Sequence, residues 1–211
     1  MSRLRVPDPK TSLVAFAAAV FVFHHLPVLA GDWVDLVTPL AVVGAAALVL
    51  ASLEPSPVVV VVALGAAVAY VDGHGIHLAA NSVDNLHPTG AAGDKAHFWD
   101  ERFGHFEWHA GWFALLAACC LAEARRPTTI SSRATVGVLV LLGFSLFTNT
   151  VEGGTWPLEL GATAVFVAWA VAASRPLLRV VASSFAIGAT LIGIWAIWHG
   201  GVPQFSQLGW L

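Results

Sequence analysis

Between His74 and His109 the chain reads HGIHLAANSV, then a polar stretch, then FWDERFGHFEWHAGW. His74-x2-His77 and His105-x3-His109 each place two imidazoles on one face of a helix. Histidines four apart on a helix stand about 5–6 Å from each other, close enough for both rings to reach one ion. HExxH metalloprotease helices use that spacing. Here Phe106 follows His105 and Glu107 points to another face, so the glutamate of that motif is absent. Three or four imidazoles with a carboxylate suit Zn²⁺, with iron or copper as alternatives, and fit oxygen-preferring Mg²⁺ or Ca²⁺ poorly.

At 100° per residue the neighbours of these histidines follow. His74, His77 and Asn81 share an arc of about 60°, joined by Asp84 if the helix continues. Glu101, His105 and His109 form an i, i+4, i+8 row with Trp108 and Trp112 beside it. Ser145, Thr148, Asn149 and Glu152 occupy one face of a later helix, and His199 follows Trp195 and Trp198. The expected metal ligands are His74, His77, His105, His109, His199 and His25. Glu101 and Glu152 are the candidate general base and acid, and Asn81, Asn149 and His24 the supporting residues. Plainer roles compete. A lone histidine in an apolar helix serves as an interhelical hydrogen-bond partner, and His199 fits equally well as a helix cap. His87 and His97 read as solvated loop residues, and Asp94 and Asp100 as surface or loop residues.

The elements that carry these residues are apolar. The chain has 211 residues, 57% hydrophobic and 11% charged, with a mean hydropathy of +0.76. A soluble domain carries about 25% charged residues, so an integral membrane protein is expected. The net charge of -3 argues against a nucleic-acid partner. Cys119 and Cys120 are adjacent in an apolar run and read as small core residues.

Apolar segments at 13–30, 33–53, 57–83, 106–124, 135–154, 156–174 and 177–200 are each near the ~20 residues needed to cross a bilayer as a helix. They predict an all-α, polytopic seven-helix bundle in a single domain (1–211), with residues 84–98 as a lid loop. The first segment also resembles a signal peptide, with Arg3 and Arg5 before an apolar run and Val28-Leu29-Ala30 at its end. His24-His25 interrupts that run, and it is read as span one.

Arg3, Arg5, Lys10, Arg125, Arg126, Arg133, Arg175 and Arg179 fall on one side of this topology, and Lys95 and Arg102 on the other. The bias of basic residues predicts a cytoplasmic N-terminus and an extracytoplasmic C-terminus. All nine histidines then lie in the outer half or outer loops. Every tryptophan except Trp169 lies there too, as an interfacial belt or as the lining of an apolar pocket. The expected location is a bacterial cytoplasmic membrane, with the site facing outside and the lipid bilayer as partner.

Seven spans, an inside N-terminus and histidines meeting a serine or carboxylate resemble the membrane metal-hydrolase superfamily of alkaline ceramidases and adiponectin-receptor-like proteins. That family pairs an early-helix histidine with an HxxxH in its last span. Here the HxxxH is His105/His109 in span four, and the last span offers His199. The family's serine and aspartate fall on Ser82 and Asp84. Membrane desaturases and hydroxylases also use histidine boxes, but those are richer in histidine and face the cytoplasm.

The function expected is a membrane-embedded, metal-dependent enzyme, a hydrolase acting on a lipid-like or apolar substrate near the extracytoplasmic face. Metal-ion binding or transport, a b-type haem protein and an iron or copper oxidoreductase are the alternatives. Transport calls for polar residues through the inner half too, and spans one, two and six are nearly devoid of them there.

Overall fold

The computed structural model describes residues 7–87, 89–125 and 128–210. Arg3, Arg5 and Arg126, used above to orient the chain, lie outside the described residues. Among the described residues all regular structure is helical: α1 (Pro9–His25), α2 (Pro27–Ala30), α3 (Asp32–Leu53), α4 (Pro57–Leu86), α5 (Ala91–His97), a π-helical segment (Phe98–Gly104), α6 (His105–Ala122), α7 (Ser132–Glu152), α8 (Trp156–Ala173), α9 (Pro176–His199) and a 3₁₀ turn (Ser206–Leu208).

Six spans, α1–α2 together, α3, α4, α7, α8 and α9, are long and apolar enough to cross a membrane. The 18-residue α6 is a further long helix, less apolar because its first turns carry His105, Glu107 and His109. The helix starts are written locally. Asp8 accepts from the Thr11 N–H at 3.1 Å, Ser56 from Val59 at 3.3 Å and Ser131 from Ala134 at 3.4 Å. Proline stands in the first turn of α1, α4, α8 and α9, where no N–H is needed.

The stretch expected as a lid loop is mostly helical. α4 runs to Leu86, and after a short turn α5 and the π segment lead straight into α6. The wider π turn shifts the register ahead of His105, and such bulges are frequent at functional sites.

α4 and α6 pack so closely that their backbones meet at glycines. A Cβ at Gly73 would fall on the Glu107–Trp108 backbone, and one at Gly111 on Tyr70. A Cβ at Gly104 would lie 2.9 Å from the His77 nitrogen and 3.2 Å from the Gly73 oxygen. Small residues at helix contacts permit this approach in an apolar bundle. The consequence is direct: His74 and His77 on α4 are brought against His105 and His109 on α6.

Away from the histidines, Leu13, Phe16, Leu115, Leu116, Leu177 and Phe185 form a dense apolar core. Cys119 and Cys120 are buried there as free thiols. Glu123 closes that end of the bundle. Its buried carboxylate accepts from the Leu177 and Leu178 N–H groups at 2.8 and 3.2 Å, capping α9, and from the Thr128 hydroxyl at 2.7 Å.

Candidate metal centre

Trp108 is the hub of the opposite end. Its ring centroid lies 4.7 Å from that of His74, 4.9 Å from His109, 5.2 Å from His24, 5.4 Å from His77 and 5.9 Å from His105. Three helices, α1, α4 and α6, thus deliver five imidazoles around one buried indole.

Within this group, His77, Asp100 and His105 each offer a donor atom, and the three atoms lie within 4.8 Å of one another. His77 Nδ1 is 2.6 Å from Asp100 Oδ1, and His105 Nε2 is 3.8 Å from the same oxygen. Ligand atoms around one ion held at about 2.0–2.2 Å lie within about 4 Å of each other, so side-chain shifts of about an ångström close the cluster. Asp35 stands behind it, with Oδ1 3.0 Å from His74 Nε2 and Oδ2 3.8 Å from His77 Nε2.

The same region holds buried ring nitrogens without hydrogen-bond partners among the described residues: His24 Nδ1, His105 Nδ1 and His109 Nε2. His74 Nε2 joins them, near Asp35 but not aligned with it for a hydrogen bond. An unsatisfied buried polar atom costs about 1–3 kcal/mol, and an ion or ordered water is a common reason for finding one. The donor set, two imidazoles and a carboxylate with spare imidazoles nearby, fits a transition metal.

The other expected ligands are held elsewhere. His109 pairs its Nδ1 with the Thr155 hydroxyl of α8 in a short hydrogen bond. His74 Nε2 faces Asp35 at 3.0 Å and lies outside the three-donor group. His25 lies 2.8 Å from the Thr148 hydroxyl and 2.6 Å from the Phe21 carbonyl, stacked on Phe144, and is a strut between α1 and α7. His199 is packed against Trp195 at 4.1 Å with Trp198 and Trp210 beside it, an aromatic cluster apart from His77, Asp100 and His105. His24 pairs with the Tyr70 hydroxyl at 2.6 Å. Asn149 donates to the Ser145 carbonyl and Asn81 accepts from Asn85, so neither supports the cluster. The Ser82 hydroxyl, the counterpart suggested by the family resemblance, is turned back to the Leu78 carbonyl of its own helix.

The two carboxylates expected to do acid–base chemistry separate. Glu101 Oε2 lies 3.8 Å from His105 Nδ1 and accepts from Gln204 Nε2 at 2.8 Å. Burial pushes its carboxyl above the ordinary range, and the Gln204 hydrogen bond opposes that shift. Glu152 has a structural job instead. Its Oε2 accepts from the Phe205 and Ser206 N–H groups at 2.7 and 3.2 Å, and its carbonyl accepts from Gln204. It latches the C-terminal segment because a carboxylate at the end of α7 meets free backbone donors there. The Trp195 indole donates to the Pro203 carbonyl at 2.9 Å and holds the same segment down.

Sequence reasoning missed Asp35 and Asp100. Asp100 reads as a loop residue, and only the helical path of 91–104 turns it inward. The tryptophans split in two. Trp108, Trp112 and Trp195 are buried, while Trp33, Trp198 and Trp210 are exposed.

No protein-family model matches the chain. No curated protein sequence and no solved structure is significantly similar to it either.

Proposed function

We propose that this chain is a membrane-embedded, metal-dependent hydrolase of a lipid-like substrate, with His77, His105 and Asp100 as the metal ligands. The observation that carries the reading is the convergence of those three donors within 4.8 Å inside a bundle of apolar helices. Zinc suits the donors, and iron or copper would redirect the same site to oxidation. Bound there, the ion would supply Lewis-acid polarisation of a carbonyl or phosphoryl oxygen and activation of water near neutral pH.

The protein's own part is positioning and proton handling. Asp35 faces the second nitrogen of His77 and favours the ring orientation that presents Nδ1 to the site. Trp108 keeps water from the buried imidazoles. Glu101, held by Gln204 and open to a cavity, is the group placed to take a proton from water and return it to a leaving group. The concentration of Lys10, Arg125, Arg133, Arg175 and Arg179 at the Glu123 end supports a site on the extracytoplasmic side, with a cytoplasmic N-terminus.

The test uses purified, zinc-loaded protein in detergent with fluorescent N-acyl sphingoid amides and glycerophospholipids. Release of labelled fatty acid, abolished by chelator and by His105→Ala, is expected. Equal release by wild type and His105→Ala would overturn the proposal.

A further inference from the structure

Beside the candidate metal centre, and sharing Glu101 with it, lies a second feature. A cavity of about 240 Å³ opens between the π segment and the C-terminal segment. Its walls include Glu101, His97 and Arg102 on one side and Gln204 and Gln207 on the other, with Phe106 along an edge. Glu101 belongs to both places, since its Oε2 is 3.8 Å from His105 Nδ1. Any group seated in the cavity is therefore next to the candidate centre.

The chemistry of the walls is specific. Gln207 Nε2 donates to Gln204 Oε1 at 2.8 Å, the Gln204 backbone N–H donates to Gln207 Oε1 at 3.1 Å, and Gln204 Nε2 donates to Glu101. Arg102 and His97 are the wall groups able to offer positive charge to an anion, alongside the Glu101 carboxyl. The segment carrying them also exposes large apolar rings: Phe98, Trp99 and Phe103 are 54%, 40% and 42% exposed. Lys95, His97 and Arg102 alternate with Asp94, Asp100 and Glu101 along this stretch, and the exposed aromatics are the feature it shares with interfacial elements. Phe106, which edges the cavity, is itself 36% exposed and gives an apolar chain a way out.

We propose that this cavity is the headgroup site for an anionic lipid: Arg102 and His97 bind the headgroup's charged oxygens, and the acyl chain leaves along Phe106. This rests on the lipid-hydrolase reading and narrows its substrate to anionic lipids. A soluble phosphate shares the headgroup chemistry, but the aromatic shelf favours the lipid.

The experiment reconstitutes the full chain in phosphatidylcholine nanodiscs with one-tenth phosphatidylglycerol and measures the lipids that remain bound through detergent extraction. Phosphatidylglycerol should be enriched in wild type. Arg102→Gln should lower the enrichment about fivefold and His97→Gln should lower it too, since one basic group near an anionic surface is worth about that much. Lys95→Gln, an exposed basic position outside the cavity, should leave it unchanged. Glycerol phosphate at matched concentration should compete far less well than lysophosphatidylglycerol. No enrichment, an equal effect of Lys95→Gln, or equal competition by glycerol phosphate would each overturn the proposal. His105→Ala should lose metal and keep the lipid, which separates failure of the headgroup site from failure of the hydrolase reading. A melting measurement on each variant confirms that it is folded; a variant that melts as wild type and keeps full enrichment counts against the proposal.

Discussion

His77 Nδ1 lies 2.6 Å from Asp100 Oδ1, joining α4 to the π segment that precedes α6. The other nitrogen of the same ring faces Asp35 of α3 at 3.8 Å. One imidazole is thus addressed by carboxylates from two elements. If Asp100 is a ligand, Asp100→Asn keeps the shape and removes the charge. Metal affinity should fall at least about tenfold, as for altered ligand shells generally. Competition with a chelating dye would measure it; unchanged affinity would remove Asp100 from the site.

The α4–α6 contact depends on missing side chains. Gly111→Ala would drive a methyl group into the Tyr70 backbone, and Gly73→Ala one into Trp108. Neither neighbour is the free end of a flexible chain, so the helices must separate. Each change should cost at least about 2–3 kcal/mol, the scale of overpacking, and should lower metal occupancy by moving His77 away from His105. Gly75→Ala, with open space around it, should be neutral or slightly stabilising. Thermal melts of the three variants compare them directly, and equal melting temperatures would contradict the packing argument.

Glu101 lies outside the apolar spans, and its titration can be followed in metal-free protein. Burial raises its pKa, and the Gln204 hydrogen bond restrains the rise. A carboxyl raised in the fold favours the protonated form. Its contribution to stability is present below the unfolded pKa and is lost as pH rises through the folded value. Carbon-13 NMR of labelled Glu101 should show a midpoint above the ordinary carboxylate range, and Gln204→Ala should move it higher still. A downward move would reverse the assigned role of Gln204. Glu101→Gln should flatten the fall in stability over that pH window.

Glu159, in the first turn of α8, is fully buried and neither carboxyl oxygen has a hydrogen-bond partner among the described residues. Its carboxyl lies against Gly188 of α9. A buried polar group without a partner destabilises, so Glu159→Leu should raise stability by about 1–3 kcal/mol. A chemical-denaturation curve checks this. A clear loss of stability would mean that the carboxyl is engaged in the native bundle.

Much of the scaffold was legible because membrane spans are read from length and apolarity alone. The seven apolar segments correspond to α1–α2, α3, α4, α6, α7, α8 and α9. The gathering of histidines at one end followed from short connections and antiparallel neighbours, and His77 with His105 could be named from helical spacing. Asp100 could not. Its approach depends on a π turn, whose wider register breaks the even row of Glu101, His105 and His109. Asp35 was hidden for another reason: which face of α3 meets α4 is decided by packing across the bundle. Glu152 and His199 satisfied the spacing rules, yet the folded C-terminal segment and the tryptophans around them occupy both. The sequence offered one usable signal for the close α4–α6 contact, the glycines at 73, 104 and 111, which flank the histidine pairs.

The proposed centre has His77, Asp100 and His105 holding one metal ion. The most direct measurement is elemental analysis of the purified protein beside His77→Ala, His105→Ala, His25→Ala and His199→Ala. About one transition-metal ion per chain is expected in wild type, His25→Ala and His199→Ala, and almost none in His77→Ala and His105→Ala. Metal retained in full by both His77→Ala and His105→Ala, or no metal bound by wild type after loading, would contradict it.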